Sequence, residues 1–279
     1  MIIIADCGAT KSEWAIIRSD GQICRLAADG VNVSAMSVES IIGVISEVVK
    51  KISATDTSAA EIFLYMAGIP SEELSCKIKG CFRNNIPVIS FSIESDLLGA
   101  ARAVCGHHPG IAAIMGTGSN SCLYDGMQIS KRVYSGGFIL GDEGSAATLG
   151  RLFISDFLKG IVPANIAEGF SATYPTDYDT IVSNVYRSSG SPSGYLGGFA
   201  PFILKHYEHP YIKELVDGNF RNFFRRCIKQ YDTDRYHVGV VGGFGYALKD
   251  VILNIASQEG VKITGFIKSP IDGLVKDHA

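Results

Sequence analysis

The chain has 279 residues, of which 47% are hydrophobic and 19% are charged, and its formal net charge is −3. At about 100 to 200 residues per domain, this length predicts two domains. The apolar fraction excludes a disordered chain, and the scattered basic residues exclude the one-sided positive surface of a nucleic-acid-binding protein.

Further exclusions come from the apolar runs and the cysteines. No run approaches the roughly 20 residues of a membrane span, and the first residues lead directly into an apolar strand, unlike a signal peptide. The seven cysteines include no C-x-x-C pair, which disfavours a disulfide framework or a zinc ribbon. We therefore expect a cytoplasmic protein that binds neither membrane nor nucleic acid.

Two distant segments follow the same plan of strand, glycine turn, strand and Asp-Gly turn. The first runs over residues 2–17 and ends at Asp20-Gly21. The second runs over residues 111–124 and ends at Asp125-Gly126. Asp-Gly is a typical signal of a hairpin between antiparallel strands. Because the plan occurs twice, the sequence predicts a duplicated fold.

Helices and strands alternate around these two segments, which predicts an α/β protein with mixed sheets. A Gly- and Pro-rich linker at 106–110 predicts a domain boundary, with domains 1–106 and 107–279. The other predicted elements of the first half are a helix at 38–52, a strand at 62–66, a helix at 72–81, a strand at 88–92 and a helix at 96–104. Those of the second half are helices at about 143–158, through the 180s and at 200–230, then a strand at 237–241 followed by a helix.

The glycine turns are candidate phosphate sites. At Gly8, glycine lets backbone N–H groups point into the turn, and such a nest binds phosphate. Gly116-Thr117-Gly118-Ser119 supplies a second turn, and two opposed turns could clamp a polyphosphate. Asp6 would repel phosphate unless Mg²⁺ intervenes, so Asp6 is the candidate metal residue, acting through water. The alternative for Asp6 is a turn cap.

Three more motifs lie at strand-to-helix junctions. Asp96 follows a predicted strand, Gly141–Ser145 follows Gly136-Gly137, and Gly242-Gly243 follows the strand at 237–241. Taken alone, the aspartates of the first two motifs would be helix N-caps. The last motif suits close approach of a flat ligand such as adenine.

In this order, the five motifs resemble the superfamily of actin, hexokinase and heat-shock-chaperone ATPases. Within it, the chain is most similar to the branch of N-acetylglucosamine kinase and the BadF/BadG/BcrA/BcrD ATPases, most specifically at Gly116–Asn120 and Gly141–Ala146. The resemblance implies two duplicated actin-like (ribonuclease H-like) domains, with mixed sheets flanked by helices and ATP in the cleft between them. Whether the last helix packs on the N-terminal domain and whether the protein forms a homodimer are both left open.

The resemblance also implies an ATP-dependent sugar kinase that needs Mg²⁺. The expected acceptor is the 6-OH of an amino sugar such as N-acetylglucosamine or glucosamine, with Asp96 as the base. The implied nucleotide-binding residues are Gly8, Thr10, Lys11, Gly116, Thr117, Gly118, Gly242 and Gly243. The implied sugar-binding residues are Asn32, Asp96, Ser119, Asn120, Gly136, Gly137 and Asp142.

One departure from the family leaves the sugar open. Kinases of this branch typically have Gly-Trp-Gly where this chain has Ser135-Gly136-Gly137, so a glycine takes the place of the aromatic and the pocket is expected to differ. Two alternative functions also stay open. One is an activator ATPase of the BadF/BcrA type, disfavoured because Cys105 and Cys122 form no recognisable iron–sulfur ligand run. The other is a non-catalytic sugar or nucleotide sensor.

Overall fold

The computed structural model describes residues 1–33, 36–187 and 190–279. The chain forms two compact units. The first consists of Met1–His108, Tyr124–Ile129 and Ser269–Ala279, and the second of Pro109–Leu123 and Ser130–Lys268. The domain boundary after residue 106 stays a prediction. No helix within the described ranges combines the length and the apolar character needed to cross a membrane.

The first unit is built on a five-stranded sheet with the order β3-β2-β1-β4-β5. Strands β1, β2 and β3 pair antiparallel, whereas β1, β4 and β5 pair parallel. Its strands are β1 (Ile2–Cys7), β2 (Lys11–Ile17), β3 (Ile23–Asp29), β4 (Ala60–Met66) and β5 (Val88–Ser95). Its helices are α1 (Val38–Ser53), α2 (Glu72–Arg83), α3 (Asp96–Cys105) and the last helix of the chain, α13 (Ile271–His278).

Both faces of this sheet are covered. Side chains alternate along β1, so Ile3 joins the core that α1 and α2 bury, whereas Ile4 joins a smaller cluster with Leu274 of α13. Helix α13 packs on α3, β1 and β2. Its approach to α3 is close, because a Cβ on Gly273 would lie 2.6 Å from Cα of Ala103. The C-terminal helix thus closes the face of the sheet that carries Asp6.

The second unit repeats this plan, with the sheet order β10-β9-β6-β7-β8. Strands β6 to β10 therefore occupy the places that β1 to β5 hold in the first sheet, which confirms the predicted duplication. Its strands are β6 (Gly110–Met115), β7 (Ser119–Tyr124), β8 (Ile129–Val133), β9 (Val238–Val241) and β10 (Ile263–Ile267). Its helices are α4 (Gly137–Leu140), α5 (Ala146–Leu158), α6 (Ala164–Thr173), α7 (Tyr178–Tyr186), α8 (Pro192–Gly197), α9 (Ala200–Lys205), α10 (Pro210–Arg226), α11 (Gly243–Ala247) and α12 (Lys249–Gln258).

Helix α5 begins three residues later than predicted. Gly144 has a φ of +77°, outside the helical region, and Ser145 is the N-cap, whose Oγ accepts a hydrogen bond from the Thr148 amide at 3.1 Å. The prediction of a helix from residue 143 was therefore wrong at its start. The sequence pattern places the carboxylate of Glu143 at the start of the helix, whereas in the structure this residue lies in the preceding loop.

Candidate active site

The predicted residues of the first unit gather at one edge of its sheet. In the parallel register, Cys7 at the end of β1 pairs with Met66 of β4, which is a partner of Ser95 at the end of β5. Asp6 and Gly8 flank Cys7, and Asp96 follows Ser95 directly. The carboxyl ends of the three strands therefore bring the Gly8 turn and Asp96 to the same edge.

Asn32 returns to this edge from the end of β3. The Val31 amide donates to the carbonyl of Gly8 at 3.0 Å, and Asn32 forms a parallel bridge with Ala67, just beyond β4. The return depends on Gly30, because a Cβ there would lie 2.5 Å from the carbonyl oxygen of Ala9. Only glycine allows the two backbones to come this close. The sequence motif around Asn32 contained Gly30, but nothing local indicated this contact.

Asp6 lies within the β1 ladder opposite Glu13 of β2, one residue before the strand ends. Burial and, to a smaller extent, the charges of Asp96 and Glu13 together raise the pKa of Asp6 to about 7, against the opposing effect of Lys11. The Lys11 Nζ lies 2.5 Å from Oε1 of Glu13, and the hydroxyl of Ser269 also bonds to Glu13. Three carboxyl groups, those of Asp6, Glu13 and Asp96, thus lie within electrostatic reach of one another, a repulsion that a cation would relieve.

Asp96 is the first residue of α3, and it is not the N-cap of that helix. The cap is Ser95, whose Oγ accepts from the Leu98 amide at 3.2 Å. One carboxylate oxygen of Asp96 accepts from the Leu97 amide at 2.9 Å. The alternative interpretation of Asp96 as a cap is therefore wrong. The Leu97 amide at the helix start therefore positions the carboxylate of Asp96, whereas the cap of the helix does not depend on Asp96.

The glycine turn of the second unit is held by the start of α5. The amides of Ala146 and Ala147 donate to the carbonyls of Gly116 and Thr117, both at 3.0 Å. Within the turn, the Gly116 amide donates to the carbonyl of Gly118 at 2.9 Å. The amide of Gly116 is thus already engaged inside the turn. Any phosphate nest here must use the other backbone amides.

Asp142 is buried and conformationally unusual. With a φ of +51°, it is the one non-glycine residue with a positive φ in the described part of the chain. Burial raises the pKa of Asp142 to about 6, although its carboxylate accepts hydrogen bonds from the Ser119 amide and the Ser135 hydroxyl. Residues held in sparsely populated backbone regions cluster at functional sites. Asp142 therefore has the marks of a site residue, and Ser135 is a partner that the sequence analysis did not identify.

Three predicted residues, Gly118, Ser119 and Asn120, lie at or just before the start of β7 and differ in their position relative to Asp142. A Cβ on Gly118 would lie 3.0 Å from Oδ2 of Asp142, so the glycine turn abuts this carboxylate. The Ser119 hydroxyl donates to the carbonyl of Glu143 at 2.7 Å. Asn120 accepts from the Ser121 amide through its side-chain oxygen, and the alternation along β7 places it on the opposite face from Ser119. The structure thus brings Gly118 and Ser119 to Asp142, and Asn120 to the other face.

Three of the four remaining predicted glycines adopt conformations that favour glycine. Gly136 and Gly137 have φ values of +74° and +69° and lead into α4, so an aromatic residue at 136 would be strained in this backbone. Gly242 has a φ of +123°, and a Cβ there would collide with the carbonyl of Met115. Gly243 begins α11 and has open space beside it. The loop after β9 therefore leaves room for a ligand at Gly243.

The loop that carries Asp142 is braced by Asn219, which is only 2% exposed. Its Oδ1 accepts from the Gly144 amide at 2.9 Å, and its Nδ2 donates to the Ser145 carbonyl at 3.1 Å. No local sequence pattern indicates this role, because Asn219 lies in α10, far along the chain.

Replacing Asn219 by alanine is expected to lower the free energy of unfolding by about 1–3 kcal/mol, because both backbone groups lose their partner in a buried setting. Urea denaturation measures this change. The control is Asn184→Ala in α7, which removes one helix-surface hydrogen bond to the Thr180 carbonyl. Equal losses in the two variants would contradict the bracing role.

Two five-stranded sheets of the same order, each flanked by helices and each with a glycine turn after its first strand, define the actin-like two-domain fold of sugar kinases. A ROK family glucokinase from Streptomyces griseus, solved with glucose and AMPPNP, is 18% identical, with a TM-score of 0.54 and coverage of 99% of this chain and 97% of that chain. The putative N-acetylglucosamine kinase from Chromobacterium violaceum is 19% identical, with a TM-score of 0.78 and coverage of 100% and 98%. These two likenesses show the fold.

The putative N-acetylglucosamine kinase from Porphyromonas gingivalis is 32% identical over 100% of this chain and 98% of that chain, with a TM-score of 0.87. The chain belongs to this family of N-acetylglucosamine kinase-like proteins. No protein-family model and no curated protein sequence matches it. The finer assignment to the BadF/BadG/BcrA/BcrD branch stays a prediction.

Proposed function

We propose that the protein transfers the γ-phosphoryl group of ATP to a sugar hydroxyl, with the 6-OH of an amino sugar such as N-acetylglucosamine or glucosamine as the acceptor. Family membership supports the class of reaction. The observation that carries the proposal is the position of Asp96, which stands at the carboxyl ends of the parallel strands while Ser95 supplies the helix cap. Its carboxylate is thus a candidate base.

Asp96 supplies the acid–base chemistry in this proposal. Its carboxylate takes the proton of the acceptor hydroxyl as the oxygen forms its bond to the γ-phosphorus and the bond to ADP breaks. Asn32, which lies at the same sheet edge, is the other proposed sugar contact of the first unit. In the second unit, the proposed sugar contacts are Ser119, Asn120, Gly136, Gly137 and Asp142.

The nucleotide is proposed to bind through the glycine turns. In the first unit these are Gly8, Thr10 and Lys11; in the second unit they are Gly116, Thr117 and Gly118, with Gly242 and Gly243 near the adenosine. Oxygen donors and excess negative charge around Asp6 fit Mg²⁺. Among the described residues, no group of three His, Cys, Asp or Glu side chains is placed to hold a metal. The fit is therefore to a hydrated Mg²⁺ held by Asp6 and the phosphates, where it would neutralise phosphate charge.

The activator ATPase alternative would require cysteine thiolates as cluster ligands. Cys122 is fully buried, and burial raises the pKa of the Cys105 thiol to about 11. Both environments favour the neutral thiol, which is a poor metal ligand. These observations favour the kinase over the activator.

A screen of ADP release with Mg·ATP over amino sugars and hexoses tests the proposed function. We expect at least one amino sugar to give turnover well above the sugar-free rate, and ³¹P NMR of the product to show a 6-phosphate ester. ADP release that no sugar stimulates would contradict the kinase. Tight binding of a sugar and ATP without transfer would instead favour the sensor.

Lowering the pH through about 6 is expected to raise the KM for the sugar, measured at saturating Mg·ATP. The carboxylate of Asp142 accepts a sugar hydroxyl best when ionised, and its pKa of about 6 means that this form is lost on the acid side. The variant Asp142→Asn is expected to have a high KM that changes little between about pH 5 and 8. A wild-type KM that stays flat across this range would contradict the assignment of Asp142 as a sugar contact.

A further inference from the structure

A cavity of about 380 Å³ lies in the second unit beside the loop that carries Asp142. Ligand pockets typically have volumes of about 300–1,000 Å³, so the cavity can hold a small molecule. Ser135, Gly136 and Glu143 line it, whereas Asp142 does not. The Ser135 hydroxyl also bonds to the Asp142 carboxylate. Because Gly136 is itself a proposed sugar contact, the cavity extends the proposed sugar site on the side of Ser135 and Glu143.

The charged groups at this cavity are paired. Arg226 Nε lies 2.9 Å from Oε1 of Glu143, and Arg225 Nε donates to Oε1 of Glu259 at 2.8 Å. Glu259 also pairs with Arg221 and Lys229, so three cations share its charge. A guanidinium has five N–H donors and a carboxylate has two oxygens with several acceptor sites. The paired groups therefore keep the capacity to bind the hydroxyls of a neutral polar ligand.

Tyr134 adds an aromatic face to the same cavity. Its side chain is 78% exposed, and the Arg132 guanidinium lies 4.5 Å from the ring centroid. A tyrosine ring has an apolar face and a polar hydroxyl at its tip, which suits ligands that are apolar on one side and polar on the other. A sugar ring has this character, with C–H groups on its faces and hydroxyls at its edge.

We propose that this cavity is a subsite for a second sugar ring, so that the substrate is an amino sugar joined to another sugar unit. Tyr134 stacks on the second ring, and Arg226 with Glu143 binds its hydroxyls. Gly136 has no side chain, and its φ of +74° disfavours any other residue there. The inference rests on the proposed function, since the cavity is next to the proposed sugar contact Asp142.

Isothermal calorimetry on the full chain tests the subsite with three probes. They are N-acetylglucosamine, its methyl β-glycoside and its β-1,4-linked disaccharide. The methyl glycoside controls for a blocked anomeric carbon without a second ring. We expect the disaccharide to bind about tenfold or more tighter than the methyl glycoside, a factor worth about 1.4 kcal/mol. Tyr134→Ala should remove most of this preference and leave the affinity for N-acetylglucosamine within about twofold.

The matched control is Tyr186→Ala, which removes a ring that is 79% exposed and does not line the cavity. It should retain the preference for the disaccharide. Equal affinities for the disaccharide and the methyl glycoside would overturn the subsite, and so would a preference that survives Tyr134→Ala. Turnover of the same sugars is measured separately. A disaccharide preference without phosphorylation of any sugar would overturn the kinase proposal and support the subsite.

Discussion

Asp96→Asn is expected to lower kcat for sugar phosphorylation by about 10²–10⁴, the usual contribution of a general base. The amide keeps the shape of the side chain but cannot take the proton of the acceptor hydroxyl. ATP affinity should be nearly unchanged, because the glycine turns are untouched. Single-turnover kinetics with the best sugar from the ADP-release screen, together with ATP binding by calorimetry, separate the two effects.

Helix capping provides the control for this variant. Ser71 caps α2 as Ser95 caps α3, and each accepts an amide hydrogen bond at 3.2 Å. Ser71→Ala should cost about 0.5–2 kcal/mol of stability, as removal of a cap does, with little change in kcat. Asp96→Asn should show the reverse, a large loss of kcat and a small loss of stability. If Asp96→Asn turns over near the wild-type rate, Asp96 is not the base and Asp142 becomes the candidate.

The parts of the fold that could be predicted are those that local sequence patterns specify. The two hairpins and their Asp-Gly turns are short-range features, and in both the aspartate side chain accepts a hydrogen bond from the amide two residues later. The loops differ in length, because the Arg18 amide donates to the Gln22 carbonyl in the first and the Asp125 amide to the Gln128 carbonyl in the second. Asp20 accepts from the Gln22 amide, and Asp125 accepts from the amides of Met127 and Gln128. Because both hairpins begin equivalent sheets, recognising the repeat predicted the duplicated fold, although not the order of the strands.

The site was predicted less completely, because its supports come from distant positions in the chain. Gly30 is needed only because it passes the backbone of Ala9, and Asn219 reaches the Asp142 loop from α10. Neither contact is marked in the sequence by a periodic pattern or a motif. The partner residues Ser135 and Glu13 were missed for the same reason. Their importance comes from pairing with Asp142 and Asp6, which only the folded chain shows.

Burial also changes what the aspartates can do. On sequence alone, Asp6, Asp96 and Asp142 are three carboxylates at strand ends or helix starts. The structure separates them, because burial raises the pKa of Asp6 to about 7 and that of Asp142 to about 6. Asp6 lies beside two other carboxyl groups and suits a cation, whereas Asp142 lies among the Ser119 amide and the Ser135 hydroxyl and suits a neutral sugar.

Gly118→Val is expected to raise the KM for the sugar by about tenfold to a hundredfold, in line with the roughly 1.5–3 kcal/mol of a hydrogen bond to a charged group. From sequence, a side chain at 118 would block phosphate, but in the structure its Cβ would press on Oδ2 of Asp142 at 3.0 Å. The control Gly116→Ala has its nearest neighbour at 3.9 Å and should leave the sugar KM within about twofold. Steady-state kinetics varying sugar and ATP separately decide between the two interpretations. Loss of ATP affinity with an unchanged sugar KM in Gly118→Val would show that Gly118 serves the nucleotide and that its contact with Asp142 is incidental.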